Sequence, residues 1–205
     1  MRPFPTFTLA SRSPRRRELL IRAGYRFRAV PPRIHEPAYI PPGVPPAQVA
    51  EAMAYFKARS VAEALRREIV LGADTVVTCA GRTFGKAADP EQARGMLRGI
   101  SGTRHTVTTG LAVLVPPRPP RPRPRRYIAS DTTVIILREL SDDEINAYVA
   151  SGEWRDKAGA YAIQETADAF VDRIEGSFTN VVGLPMELLE RMLEQVRRDL
   201  RTDED

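Results

Sequence analysis

Strand-like and helix-like segments alternate along the chain, and this alternation limits the fold more than any other feature. Residues 69–77 are an apolar run of strand length, and residues 105–115 and 127–137 are also strand-like. Helix signals separate these stretches. At Ser13-Pro14, for example, a good N-cap precedes a proline at the first helical position. Strands mixed with helices in this order favour an α/β fold with a mixed, twisted β-sheet and flanking helices.

The other elements are predicted from apolar spacing and from end signals. Helices are expected at residues 49–65, 90–97, 141–152 and from residue 185 onward, and strands at residues 25–30 and 169–174. In the helix at 49–65, an apolar face is expected from residues at roughly helical spacing: Val49, Met53, Phe56 and Val61. Ala80-Gly81 is expected to form a tight turn.

Length and composition indicate one globular domain. The 205 residues can bury one sizeable core, so a single domain over residues 1–205 is expected. No apolar run approaches the roughly 18 residues that a membrane-spanning helix needs. The short apolar start is followed by arginines, whereas a signal peptide carries its charge before the apolar region. Cys79 is the only cysteine, which excludes an intramolecular disulfide. A cytoplasmic protein is therefore expected.

The positive charge is concentrated in one segment. Residues 116–126 hold five arginines and six prolines, while the net charge of the whole chain is +5. The rest of the chain is therefore near neutral, and the basic balance says little about the main function. We expect this segment to be an extended loop insertion joining the strands at 105–115 and 127–137. It is either a solvated insertion or a docking site for an acidic or nucleic-acid partner.

The segment SRSPRRRELL breaks a local rule of helix electrostatics. Arg15, Arg16 and Arg17 fall in the first turn of a predicted helix, where unsatisfied N–H groups already make the end positive. Such violations tend to mark functional sites, and a helix N-terminus with added arginines suits a phosphate chain. The alternative is an exposed basic turn.

Two further segments contain candidate site residues. In VLGADTVV, Gly72 leaves room beside a strand end and Asp74 interrupts the apolar pattern. Asp74 could hold a divalent ion, activate a water or merely start a turn. In FGKAADP, Lys86 can act as a point charge on a phosphate, although the segment lacks Walker A spacing. The amide of Gln164 could bind a base edge or cap a loop. His105 has no partner at metal-binding spacing and is expected to be structural.

These segments together resemble the Maf family. The matching stretches are LASRSPRRRELL, LGADTVV, FGKAADP, LRGISGTRHTVTTG, DKAGAYAIQ and RIEGSFTNVVGLP, in order over residues 9–189. The resemblance implies an inosine-triphosphatase-like fold with two lobes around a central cleft. It also implies a divalent cation, Mg²⁺ or Mn²⁺, and hydrolysis of a nucleoside triphosphate between its α- and β-phosphates.

The resemblance also implies roles for individual residues. Asp74 would activate the water, and Glu36 and Asp74 would hold the metal. Phosphate-binding positions fall on Ser11, Arg15, Arg16, Lys57 and Lys86. From the sequence pattern alone, Lys57 would be an ordinary residue on a helix surface.

Three positions indicate the branch of the family. Arg15, Thr75 and Gln164 resemble the residues of the branch that prefers dTTP and UTP. In the branch that acts on 7-methyl-GTP, the resemblance implies a bulky aromatic, a glutamine and a glutamate at these three positions. A neutral amide suits a neutral pyrimidine edge, and a carboxylate suits a cationic methylated guanine. Glu165-Thr166 departs from the small residues expected after Gln164. The alternatives are a 7-methyl-GTP pyrophosphatase, a nucleic-acid-binding module and a non-catalytic cell-division protein. A homodimer is a further open alternative.

Overall fold

A mixed sheet forms the centre of the computed structural model, which describes residues 4–34, 43–119, 121–163 and 166–202. The strands are β1 (Phe7–Ala10), β2 (Phe27–Val30), β3 (Val70–Cys79), β4 (Arg82–Phe84), β5 (Arg104–Val115), β6 (Arg125–Leu137) and β7 (Val171–Glu175). The helices are α1 (Pro14–Arg22), α2 (Pro46–Ala62), α3 (Pro90–Ile100), α4 (Asp142–Ser151), α5 (Phe178–Val182) and α6 (Met186–Thr202), with a 3₁₀ helix at Thr166–Phe170. The predicted mixed α/β class is confirmed.

The seven strands run in the order β2-β1-β3-β5-β6-β7, and β4 pairs with β3. β1 pairs in parallel with β2 and β3, whereas the pairs from β3 through β5 and β6 to β7 are antiparallel. Along one edge β3 is paired with β5 over most of its length, from Val70 to Thr78. The other edge is shared between two shorter strands.

A gap between these two shorter strands positions the site. β1 pairs with β3 only as far as Gly72, and β4 begins to pair at Val77. Among the described residues, none is a strand partner of residues 73–76 on this edge. Backbone polar groups in such a gap need other partners, from side chains, water or ligands. The chain leaves β1 at Ala10 beside this gap and turns into α1.

The helices cover both faces of the sheet. On one face α2 packs through alanines against Ala10, Val70 and Ala112. On the other face there are two larger apolar clusters. The first contains α6 with the start of β3 and the end of β5, and the second contains α3 and α4 with the opposite ends of these strands. Leu19 of α1 packs against both clusters. These clusters are the cores of the two predicted lobes.

The buried face of α2 agrees with the prediction only in part, because Val49 and Val61 are buried as expected but Phe56 is not. Phe56 is 48% exposed, and the face turned to the sheet carries Ala50, Ala54, Ala58 and Lys57 instead. The reason is a close approach of the helix to the sheet. A Cβ at Gly72 would lie 2.1 Å from the carbonyl oxygen of Ala54. The space that Gly72 leaves beside the strand is thus filled by the backbone of α2.

Element boundaries show smaller differences. The expected strand at 169–174 begins at Val171, because residues 166–170 form the 3₁₀ helix. The short strands β1 and β4 and the short helix α5 were not predicted. The Ala80-Gly81 turn is confirmed, with φ of 47° and 75° as in the tight turns that join antiparallel strands. The capping box of Ser141 and Glu144 is also confirmed.

Residues 116–124 connect β5 to β6, as predicted. The two strands are paired out to Val115 and Arg125, and a further bridge joins Arg118 to Arg121 near the tip.

In the described ranges, no helix is both long enough and apolar enough to cross a bilayer.

The close packing of α2 predicts different effects for two glycine-to-alanine changes. Gly72→Ala should lower the free energy of unfolding by about 3 kcal/mol or more, because its Cβ would overlap the backbone of α2. Gly95→Ala on the exposed side of α3 meets nothing within 4 Å and should raise stability by up to about 1 kcal/mol. Urea unfolding of the two variants measures both effects. Equal stabilities would contradict the close approach.

Candidate active site

A cleft with a volume of about 420 Å³ opens at the gap on the edge of β3. The predicted site residues within the described ranges all line it: Ser11, Arg15, Arg16, Lys57, Asp74, Thr75 and Lys86. The other two predicted residues, Glu36 and Gln164, lie outside the described residues. Ile34 and Ile163, which precede them in the sequence, line the cleft.

Asp74 and Lys57 form an ion pair at the cleft. The Lys57 ammonium donates a hydrogen bond to Asp74 Oδ1, and the two side chains are only 9% and 13% exposed. Asp74 lies within β3 and not at a strand end, but its edge of the strand is open because β1 has already stopped. Lys57 is buried, in contrast to the surface position that its sequence pattern suggested. Removing one partner of such a pair would leave the other charge poorly compensated.

Arg16 occupies the gap beside β3. Its guanidinium donates to the carbonyl oxygen of Ala73 (2.9 Å), to Thr75 Oγ1 (3.0 Å) and to the carbonyl oxygen of Gly183 (2.7 Å). It thereby serves as a hydrogen-bond partner for the unpaired edge and ties α1 and the end of α5 to β3. The expectation that Arg16 contacts phosphate stays a prediction, but these bonds give it a positioning role in the fold.

Thr75 is held in a hydrogen-bonded chain that starts at Arg16. Its hydroxyl lies 2.9 Å from Thr109 Oγ1, and Thr109 in turn donates to the carbonyl oxygen of Asn180 (3.0 Å). The site is crowded, because a Cβ at Gly183 would lie 3.3 Å from Thr75 Oγ1. A larger side chain at position 75 would therefore displace Arg16 or α5.

Arg12 and Arg15 extend the positive charge at the start of α1. Both line the cleft, and neither makes a hydrogen bond or ion pair with another residue in the described part of the chain. Ser13 caps the helix by accepting from the Arg16 backbone N–H (3.4 Å). A helix N-terminus with two such guanidinium groups attracts anions. Arg12 was missed in the sequence, although it stands between the two serines of the same motif.

The opposite wall combines Lys86 with residues 156–163. Lys86 forms a β-bridge with Ala158, and Gly159 N donates to the carbonyl oxygen of Gly85 (2.9 Å). This wall also brings Asp156, Lys157 and Tyr161 to the cleft. The sequence signal for them was the DKAGAYAIQ segment, in which only Gln164 was singled out.

His105 supports this wall from behind and is structural, as expected. It is 2% exposed, and its Nε2 lies 2.7 Å from the Tyr161 hydroxyl. Burial lowers the pKa of His105 to about 4, so the ring is neutral at neutral pH. It therefore holds Tyr161 in place without adding charge to the cleft.

The cleft fits a divalent cation only if the substrate supplies further ligands. Across the described ranges, no three His, Cys, Asp or Glu residues form a metal-binding group. Among the described lining residues, the carboxylates are Asp74 and Asp156. Mg²⁺ commonly uses one or two carboxylates together with substrate phosphates and water, and Asp74 suits that arrangement.

Comparisons with known proteins identify the family. The sequence model of the Maf-like protein family matches residues 6–196, so the chain belongs to the Maf family. It is 49% identical to the dTTP/UTP pyrophosphatase of Moorella thermoacetica, over 90% of this chain and 92% of that one. It is 46% identical to the dTTP/UTP pyrophosphatase of Pelotomaculum thermopropionicum, over 91% and 94% of the two chains.

The solved structure of the Staphylococcus aureus Ham1 protein is similar over 93% of this chain and 99% of that chain. Its TM-score is 0.49 and its sequence identity is 14%.

The contacts of Arg16 and Arg15 predict different consequences when each is replaced by methionine: a loss of stability for Arg16 and weaker nucleotide binding for Arg15. Arg16→Met leaves the carbonyl oxygens of Ala73 and Gly183 without this donor and should lower the free energy of unfolding by about 3 kcal/mol. Arg15→Met should change stability by less than about 0.5 kcal/mol but raise KM for a nucleotide. Thermal unfolding and steady-state kinetics measure the two effects. A stable Arg16→Met variant would contradict the positioning role.

Proposed function

We propose that this chain hydrolyses dTTP and UTP to the nucleoside monophosphate and pyrophosphate. The observation that carries the proposal is the Lys57–Asp74 pair within a cleft flanked by Arg12, Arg15 and Lys86. A carboxylate that acts on water is placed beside cations that suit a triphosphate. The curated names of the two relatives described above support the choice of substrate.

Asp74 is the group that activates the water. Its carboxylate can accept a proton from a water that attacks the α-phosphorus, and the hydrogen bond from the Lys57 ammonium orients the carboxylate. The P–O bond to the β-phosphate then breaks, and negative charge develops on the departing pyrophosphate. Arg12, Arg15 and Lys86 stabilise that charge, which is the main contribution that proteins make in phosphoryl transfer.

A divalent cation, Mg²⁺ or Mn²⁺, would be held by Asp74 and Glu36 together with the substrate phosphates. When bound, it polarises the phosphate and lowers the pKa of the attacking water. The assignment of Glu36 rests on the family resemblance. The role of Asp74 rests also on its position in the cleft.

Base selection is assigned to Arg15, Thr75 and Gln164. Thr75 donates to Thr109 and accepts from Arg16, so its influence on substrate choice passes through the position of Arg16. Gln164 offers an amide that can pair with a neutral pyrimidine edge.

We place the enzyme in the cytoplasm, where its nucleotide substrates are made and used.

The role of Asp74 predicts a selective loss of activity in Asp74→Asn. The change is nearly isosteric but removes the charge that the water or metal needs, so kcat should fall by a factor of about 100 or more. The control is Asp172→Asn on the exposed side of β7, which should keep full activity. Pyrophosphate release is measured at a temperature where melting curves show both variants folded. A variant at position 74 with more than about a tenth of wild-type kcat would rule out the proposed base.

The branch assignment predicts a substrate preference and its partial reversal. kcat/KM for dTTP and UTP should exceed that for 7-methyl-GTP by at least about tenfold, which needs only about 1.4 kcal/mol of differential binding. Gln164→Glu should reduce activity toward dTTP more than toward the cationic methylated guanine, because it replaces a donor with an anion.

The matched control for this preference is Gln195→Glu on the exposed side of α6, which should leave the ratio unchanged. A wild-type preference for 7-methyl-GTP, or an unmoved ratio in Gln164→Glu, would overturn the branch assignment. Pyrophosphate release itself could still be observed in either case.

A further inference from the structure

A second cavity, of about 340 Å³, lies between the last turns of α2 and the base of the β5–β6 hairpin. We call it the hairpin groove. Apolar side chains form most of its surface: Leu65, Leu114, Val115, Pro116, Pro117 and Pro124. The prolines belong to the proline- and arginine-rich segment at residues 116–126, which therefore forms one wall of the groove.

The rim of the hairpin groove is positively charged. Arg66 and Arg126 line it, and the adjoining hairpin carries further arginines at positions 118, 121 and 123. Arg125 does not add to this charge, because it pairs with Asp199. Two glutamates also line the groove, but each is paired with an arginine: Glu63 with Arg59, and Glu68 with Arg28. An apolar floor is thus surrounded by excess positive charge.

We propose that the hairpin groove binds an acidic segment of a partner protein that carries apolar side chains between its carboxylates. The carboxylates would pair with the arginines of the rim, and the apolar side chains would cover the leucine, valine and proline surface. Both parts of the groove are needed, because exposed ion pairs contribute little by themselves and apolar burial gives no preference for an anion. We infer that the partner is acidic because the rim of the groove is positively charged.

A protein segment fits the hairpin groove better than a nucleic acid does. Proteins that bind single strands stack bases on exposed aromatic rings. Tyr55 is the aromatic residue among the described lining residues, and the Arg126 guanidinium lies 5.6 Å from its ring centre. Proline has no N–H to donate to a phosphate.

The hairpin groove is separate from the active-site cleft. Asp74 is paired with Gly110, whereas the groove is reached at Leu114, which is paired with Val70. Four residues along a strand correspond to about 13 Å. Binding at the groove and turnover in the cleft can therefore be measured independently on the same protein.

The test uses a fluorescein-labelled peptide in which single leucines alternate with pairs of glutamates. The double variant Arg66→Glu/Arg126→Glu should bind it at least about tenfold more weakly than the wild type. The control is Arg26→Glu/Arg191→Glu, which makes the same change in net charge at exposed positions outside the groove and should bind normally. dTTP turnover should be unchanged in both double variants.

Two further probes separate the kinds of partner. A peptide with serine in place of leucine keeps the charge and should bind at least about tenfold more weakly, because it cannot cover the apolar floor. An oligothymidylate of equal charge should also bind more weakly than the leucine peptide.

Equal binding of the two peptides would overturn the proposal and leave a surface that attracts any polyanion. Tighter binding of the oligothymidylate would overturn it in favour of a nucleic-acid surface. A similar loss in the control variant would show that net charge alone is responsible. None of these outcomes affects the proposed hydrolysis, which the turnover measurement tests separately.

Discussion

The open stretch on one edge of β3 is the constraint on which the site depends. β1 pairs with β3 up to Gly72 and β4 pairs from Val77, so no strand in the described part of the chain pairs with residues 73–76 there. A backbone carbonyl in that position needs a donor, and Arg16 supplies one to Ala73. Because Arg16 also binds Gly183 and Thr75, the start of α1 and the end of α5 are drawn to the same gap. The cleft lies where these segments meet.

A second constraint brings the reactive pair together. α2 lies so close to the sheet that Gly72 and Gly110 cannot carry a side chain without overlapping its backbone. At that distance Lys57 reaches Asp74 from the helix and becomes buried with it. The packing of the alanines on α2 therefore holds the two charges of this ion pair together. Either charge alone would be costly to bury at this depth. Stability and chemistry depend on the same contact surface.

The sequence predicted local features well and long-range partnerships poorly. β5, β6, the capping box at Ser141 and the Ala80-Gly81 turn follow from local spacing and turn chemistry, so they could be predicted. Asp74 was singled out because it interrupts an apolar strand, but its role as the water-activating residue came from the family resemblance. The burial of Lys57 and the acceptors of Arg16 depend on segments far apart in the sequence, which local patterns do not encode. Phe56 was wrongly assigned to the buried face of α2 for the same reason, since the glycines of the sheet favour alanine there.

The central claim is that a water activated at Asp74 attacks the α-phosphorus and releases pyrophosphate. Hydrolysis of dTTP in water labelled with oxygen-18, followed by mass spectrometry of the products, tests it most directly. The account predicts the label in dTMP and none in pyrophosphate. Label in pyrophosphate, or release of orthophosphate in its place, would contradict the account.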